Sequence, residues 1–524
     1  MSRRRWIVLL MLGLCVAGLG AVWVQAPGYM DADYYQATAE RLASGQGFTE
    51  PFLWNYLDDP NEIPHPSHMY WMPLTSLVAA APMAIFGIGF RIAQIPFILL
   101  TAALPLLTAS TALHLGMGER KAWLAGLLAC TSGFYLPYFV TTDNFSIFAV
   151  VGSAALWMMA VAVQRPAAHR WILIGAFVGL AHMARADGLL LLVPAMLAVW
   201  YAGDRRFSAA VLVLVGYGVL MAPWWTRNIL LLGTPLPQGA SRSIWLVRYD
   251  ELYSYPASIL TPERWWSAGW QKLLQARGQA LLSNLQSLLA VNGYVFLAPL
   301  MIVGIQRGWK RPLVRIAMTY LILLMIVMSL VFPHIGARGG FFHSSAALMP
   351  VLWVLAVEGL ERIVSWAGER RGWVPEQSLV VFNTAAIALG AALALFVYWG
   401  RVIGPDPSQP VWSSSDALYS DVGEQLKALD PEPGIVAVNN PPGFYRATDL
   451  EAVVIPNGNP ETLYQVVERY DVEWIILEAN HPEALQDFYA LGVDIDWLET
   501  VVTLADREDQ AVHLMRVRAS EGMP

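Results

Sequence analysis

The first 400 residues are dominated by long apolar runs with short polar interruptions. A bilayer core needs about 20 predominantly apolar residues for each helical crossing. In lipid every backbone N–H and C=O must be satisfied within the segment, so runs of this kind fold as helices. We read eleven of them, at 6–25, 93–115, 121–140, 145–163, 171–184, 188–202, 208–224, 285–305, 313–332, 344–361 and 378–399. The pair at 171–184 and 188–202 is short and is broken by Arg185 and Asp187. The expected fold is mainly α: a polytopic helical membrane protein of about eleven spans.

Composition agrees and excludes other classes. The 524 residues are 56% hydrophobic and 14% charged, against about 25% charged in an average soluble domain. A disordered chain, a collagen-like chain and a nucleic-acid-binding tail protein are excluded, and an ordinary soluble enzyme is a poor fit. The net charge of −7 divides unevenly. Residues 401–524 carry 7 Lys+Arg and 22 Asp+Glu, a net −15; residues 1–400 carry 26 and 18, a net +8. The expected domains are a membrane body over 1–400, a Pro/Ser-rich linker over 401–415 and a soluble domain over 416–524.

The positive-inside rule orients the body. Arg3, Arg4 and Arg5 precede the first run, which places the N-terminus in the cytoplasm. Every second loop is short and basic: Arg120 and Lys121, Arg165 and Arg170, Arg205 and Arg206, Arg307 with Lys310 and Arg311, Arg370 and Arg371. An odd number of spans then puts the C-terminal domain outside the cell (inner) membrane. The first run is longer than a signal-peptide core and more spans follow, so it is expected to stay attached. Cys15 and Cys130 fall in separate spans, with no disulfide framework and no zinc-ligand spacing.

Two outer loops are long and aromatic. In the first, residues 34–44 have helical spacing, with Tyr35, Ala39 and Leu42 on one stripe, and Gly45 and Gly47 end it. Residues 69–86 form a second apolar helix, read as lying in the membrane interface because a crossing would invert the basic loops. The second long loop, about 225–284, is dense in Trp and Tyr, as the headgroup layer favours. Asp31 and Asp143 stand at predicted outer membrane edges, where carboxylates are costly and often functional. Asp33 points to a different helical face from Asp31.

The pattern Asp31, Tyr35, Ala39, Leu42, Gly45 is followed by His65-Pro66 through Pro73-Leu74, then by Phe86-Gly87 and Arg91. Asp143 heads the fourth span. Gly179-Leu180-Ala181, Arg185-Ala186-Asp187-Gly188, Pro223-Trp224 and Arg227-Asn228 come in order after it. This arrangement resembles the GT-C superfamily of membrane glycosyltransferases, and within it the protein O-mannosyltransferases and the lipid A aminoarabinose transferases. It departs from them at Ala32, where many relatives have an acid, and at His65-Pro66-Ser67-His68, where many have Lys-Pro-Pro.

The resemblance implies a sugar donor on a polyprenyl-phosphate carrier and an extracytoplasmic protein, lipid or glycan acceptor, with membrane lipid but no nucleic acid as partner. A carboxylate within reach of an acceptor hydroxyl serves as general base, and Asp31 is the expected one, giving inversion; Asp143 and Asp33 are the other catalytic candidates. Phosphate leaves with the help of preorganised cations. Arg338, between two glycines in PHIGARGGFFH with His334 and His343 flanking it, is the leading candidate, followed by Arg227, Arg242, Arg248 and Arg185. Arg185 with Asp187 also suits a buried ion pair at a broken helix. His65 and His68 suit either the donor phosphate or plain loop positions, and Tyr35 completes the binding set. No cofactor and no required metal is expected. The alternative reading is a transporter or flippase of lipid-linked sugars, which also uses intramembrane charges and broken helices.

The tail alternates β and α elements and reads as a small α/β domain. Its segment NNPPGFYRATD (439–449) is expected as a strand end and loop. There Tyr445 and Arg446 suit a sugar or phosphate, or Pro441-Pro442 simply force a bend.

Overall fold

The structure is a computed structural model and describes residues 1–237, 239–491 and 495–518. Among them, seven helices are long and apolar enough to cross a membrane: Arg3–Val22, Phe90–His114, Phe145–Gln164, Gly203–Leu232, Pro312–Val331, Pro333–Arg371 and Pro375–Ile403. Large apolar side chains on them lie open, such as Phe207 at 80%, Leu230 at 79% and Phe396 at 77% exposure. In water such a surface invites aggregation; in lipid it is ordinary.

Four of the eleven expected runs lie in shorter or interrupted helices, one pair of them parted at Arg185 as its sequence implies. The run 121–140 breaks where Ser132 and Gly133 take positive φ, leaving a 13-residue helix, Gly118–Cys130. Runs 171–184 and 188–202 become Ala168–Ala184 and a 3-10 turn leading into Leu192–Trp200, parted by an extended Arg185. The run 285–305 breaks at Tyr294 and Val295, both at positive φ, before Ala298–Gly308. The apolar helix expected at 69–86 is Leu74–Phe86, 13 residues. At about 1.5 Å per residue it spans about 20 Å, short of a full crossing.

Glycines let the helices approach closely. Gly175 and Gly216 face each other's partner helix: a Cβ on Gly175 would lie 1.9 Å from the Val213 carbonyl, and one on Gly216 2.1 Å from that of Ile172. Small residues at such crossings admit backbone contact. The helix Met349–Arg371 runs through the centre. At one end its Glu358 and Glu361 meet Lys121 at 2.7 Å, Arg120 at 2.8 Å and Arg307 at 3.9 Å. Basic residues from two of the short basic segments thus converge on one end of the bundle.

The tail packs at the other end. Its six-stranded sheet runs in the order Phe52–Leu53, Ala452–Val454, Ile435–Val438, Val472–Leu477, Ala511–Val517, Leu498–Ala505. The first four strands are parallel and the last two antiparallel. The edge strand therefore comes from the first long loop, with Phe52 opposite Ala452 and Leu53 opposite Val453. Segment 439–449 is a helix rather than a strand end: Pro441–Thr448 begins behind Asn440, whose side chain accepts from the Gly443 amide at 3.2 Å. Proline in the first helical turn loses no hydrogen bond there.

The helix crossing gives a direct test. Gly216→Leu should destabilise the protein by about 1–3 kcal/mol or more, whereas Gly218→Ala, with open space around its Cβ, should be neutral. Unfolding midpoints in detergent compare the two.

Candidate functional site

The helix expected at 34–44 begins earlier, as Met30–Ala43, and so carries Asp31 and Asp33 in its first turn. Carboxylates there meet the positive end of the helix dipole. The approach is tight. Gly28 has φ 97°, and a Cβ on it would lie 2.2 Å from Trp412 Nε1. That indole donates to the carbonyls of Ala26 at 3.2 Å and Pro27 at 3.1 Å.

Asp143, fully buried ahead of helix Phe145–Gln164, accepts from the Tyr29 hydroxyl at 2.6 Å. It lies 3.1 Å from His343 Nε2, and Asp31 lies 3.9 Å from the same atom. His343 Nδ1 is 2.9 Å from the Gly339 carbonyl. A carbonyl only accepts, so Nδ1 carries a proton and Nε2 is the nitrogen turned to the two acids. The ring stacks on Phe145 with centroids 3.8 Å apart. Burial, then the charge of Asp143, raises the Asp31 carboxyl to about 6. Burial pushes Asp143 the same way, but His343, the Tyr29 hydroxyl and the Asn144 amide outweigh it and hold Asp143 below the usual carboxylate value. One acid of the pair thus keeps its charge while the other takes a proton easily.

Asp31 stands between two cavities. One, about 360 Å³, is lined by Tyr29, Tyr138, Arg338, Arg401 and Trp412. The other, about 120 Å³, is lined by Trp54, Tyr70, Trp71, Tyr249, Arg185 and Arg338. It shares Tyr70, Trp71, Arg185 and Ile335 with a third, largely apolar cavity of about 360 Å³ walled also by Leu189, Leu190, Val327, Met328 and Phe332. Arg338 lies 4.9 Å over the Tyr249 ring. Arg185 donates to Asp187 at 2.9 Å, to Ser344 at 3.0 Å and to Asn144 at 3.4 Å.

The structure therefore brings together Asp31, Asp143, Arg185 and Arg338, with Tyr35 behind them accepting from Asn144 at 3.3 Å. It sends the other expected residues elsewhere. Asp33 turns away and is 3% exposed, bonded to Arg446 at 3.1 Å and Asn440 at 3.0 Å. His65 pairs with Glu50 at 3.1 Å in the small ladder 49–50/65–66. His68 sits 3.0 Å from the Tyr34 hydroxyl; burial, then Arg227, lowers it to about 3, so its ring is neutral. Arg227 lies on the helix Arg206–Leu232, 4.6 Å over Trp224, and donates to the Ser67 carbonyl at 2.8 Å. Arg242 donates to the Leu57 carbonyl at 2.7 Å. Arg446, expected to suit a sugar or phosphate, is partly buried and paired with Asp33 and Asp416. Sequence reasoning missed Tyr29, Arg401 and the central place of His343; only the spacing from Gly339 to His343, one helical turn, hinted that the ring is held.

Asp31, Asp143 and His343 offer three ligand atoms within 4.8 Å of one another. Two carboxylates and an imidazole fixed by its other nitrogen suit a divalent cation such as zinc or manganese.

No family model and no curated protein matches the sequence. The fold, however, matches solved structures. The oligosaccharyltransferase of Archaeoglobus fulgidus in complex with zinc and sulfate aligns with a TM-score of 0.59 at 13% identity, over 97% of this chain and 72% of that one. AglB from Archaeoglobus fulgidus, with an inhibitory peptide and a dolichol phosphate, gives 0.56 at 13%, over 93% and 70%. ArnT from Cupriavidus metallidurans bound to undecaprenyl phosphate gives 0.56 at 14%, over the whole of both chains. At such identities the likeness establishes a shared fold.

The burial difference between the two acids is testable. Asp143→Ala should cost about 3–5 kcal/mol, because it leaves His343 and Tyr29 facing an empty partner. Asp31→Ala, a third exposed in the native protein, should cost about 1 kcal/mol or less. Detergent unfolding midpoints of the two variants measure the contrast.

Proposed function

We propose that this protein is a membrane glycosyltransferase that moves a sugar from a polyprenyl-phosphate donor to an acceptor hydroxyl, with Asp31 as general base. The observation that carries the reading is the place of Asp31 between two cavities, one of which shares its Arg185 wall with an apolar groove. The groove suits a lipid tail. Arg185 and Arg338 at its inner end suit the phosphate, as preorganised cations in a water-poor site. The aromatic wall of the small cavity suits the sugar, and the cavity beside Trp412 suits the acceptor. The fold neighbours support this assignment, since one was solved with dolichol phosphate and one with undecaprenyl phosphate.

The acceptor oxygen attacks the anomeric carbon from the Trp412 side as the bond to the phosphate oxygen breaks on the other. Asp31 takes the hydroxyl proton, and the polyprenyl phosphate leaves against the arginines. Attack opposite the leaving group inverts the anomeric centre, as in single-displacement glycosidases. Asp143 and His343 hold the charge balance around Asp31. The face carrying the tail is read as the outer one, from the basic loops at the opposite end. The transporter alternative is less well supported, because the acids gather at helix ends beside the tail rather than at mid-helix.

The same three side chains also support a metal-dependent form of this reading, which the sequence did not suggest. Asp31, Asp143 and His343 would hold the divalent cation. Bound there, it supplies Lewis-acid stabilisation of developing negative charge.

The assay follows from the product. Mass spectrometry of surface lipids and proteins from cells with and without the gene identifies it, and purified protein is then asked to form it. Asp31→Asn should fold normally and lose about 100-fold or more in rate; full activity would remove Asp31 as base. Because only the ionised carboxylate accepts a proton, the rate of the protein without bound metal should fall as pH drops through about 6. Dialysis against EDTA should abolish transfer, with recovery on adding zinc or manganese, if the cation acts; an unchanged rate would confine the mechanism to the side chains.

A further inference from the structure

The first turn of helix Met30–Ala43 is held from both sides by the tail. On one side Trp412 clamps the carbonyls of Ala26 and Pro27. On the other, the buried Asp33 is gripped by the tail helix Pro441–Thr448 and its cap. Arg446 Nε donates to Asp33 Oδ1 at 3.1 Å, and Asn440 Nδ2 donates to Asp33 Oδ2 at 3.0 Å. Arg446 is fixed in turn by Asp416, so its guanidinium bridges two carboxylates. The fit has no slack: a Cβ on Gly443 would lie 2.8 Å from Asp33 Oδ2. Further along the same helix, Arg41 reaches the Tyr445 hydroxyl at 3.4 Å. None of Arg446, Asn440 and Asp33 lines either cavity at Asp31.

A buried charge pair is a poor source of net stability. It is a good source of orientation, because a forked guanidinium fixes direction as well as distance. Asp31 lies two residues from Asp33 on the same helical turn, so any rotation of that turn moves the Asp31 carboxylate against Asp143, His343 and the cavities. We propose that Arg446, with Asn440, is a positioning residue of the reaction: it acts through Asp33 to hold Asp31 at the attack geometry, which makes the tail domain a structural part of the active site. This inference rests on Asp31 as the base.

The test separates rate from binding. In the full-length protein, Arg446→Met should lower kcat by about 10- to 100-fold, since a displacement of about 1 Å at a reacting group costs about 100-fold. Binding of undecaprenyl phosphate, the probe, should stay within about twofold of wild type, because Arg446 touches neither the arginines nor the groove. Arg446→Lys keeps the charge without the fork and should recover part of the loss, which a merely structural role would not predict at equal melting temperature. Asn440→Ala removes one Asp33 contact without stranding a charge and decides the matter if Arg446→Met fails to fold; it should lower kcat several-fold, again at unchanged probe binding. Wild-type kcat in Asn440→Ala, or in a folded Arg446→Met, overturns the inference. If Asp31→Asn is inactive in the same series, the base assignment survives that outcome; if Asp31→Asn is active, the base assignment itself has failed.

Discussion

Two carboxylates that approach one imidazole nitrogen cannot both ionise freely, and the site is organised around that constraint. Like charges at short range in a poorly solvated place push one pKa up. Asp143 wins the negative charge because it is wholly buried yet satisfied, by Tyr29, by His343 and by the amide of Asn144. Asp31 is left with a raised pKa and a partly open face. His343 is available for this only because its other nitrogen is committed to the Gly339 carbonyl, and Gly339 reaches that position with φ 135°. The irregular backbone at 336–340 therefore serves the acids as much as it serves Arg338.

Much of this was legible in the residues. Hydrophobic run length located the seven long helices, since a span is the one element whose length the bilayer dictates. It did not reveal the interruptions in 121–140 and 285–305, because helix breaks at Ser132-Gly133 and Tyr294-Val295 leave the average hydropathy of a run unchanged. Asp31 and Asp143 stood out because a carboxylate at a membrane edge is conspicuous against apolar neighbours. Asp33 was grouped with them by proximity in sequence, although two residues on a helix differ by about 200° in direction. His65, His68, Arg227 and Arg242 looked like ligands for the same reason that they make good struts. A long polar side chain among aromatics has to bond something, and here the nearest partners are Glu50, Tyr34, Ser67 and Leu57.

The tail looked separable because its charge and composition differ from the rest. Composition reports solvent exposure, not contact. The strongest links between tail and body are a two-residue strand, a capped helix of eight residues and one indole, and none of them leaves a compositional trace. Arg446 illustrates the point: as a sequence position it offered a cation to a ligand, whereas in the fold its charge is consumed by Asp33 and Asp416.

The pairing of Phe52 with Ala452 and of Leu53 with Val453 has a consequence for biogenesis. The partners are 400 residues apart, so at about 5–20 residues per second the first loop waits about 20–80 s for the strand that completes its sheet. Throughout that interval Asp33 has no Arg446 and Pro27 has no Trp412. The turn that carries Asp31 gains its tail contacts only once residues 412 and 446 have been made. A chain truncated before residue 412 thus carries both acids without the tail contacts that hold the turn of Asp31.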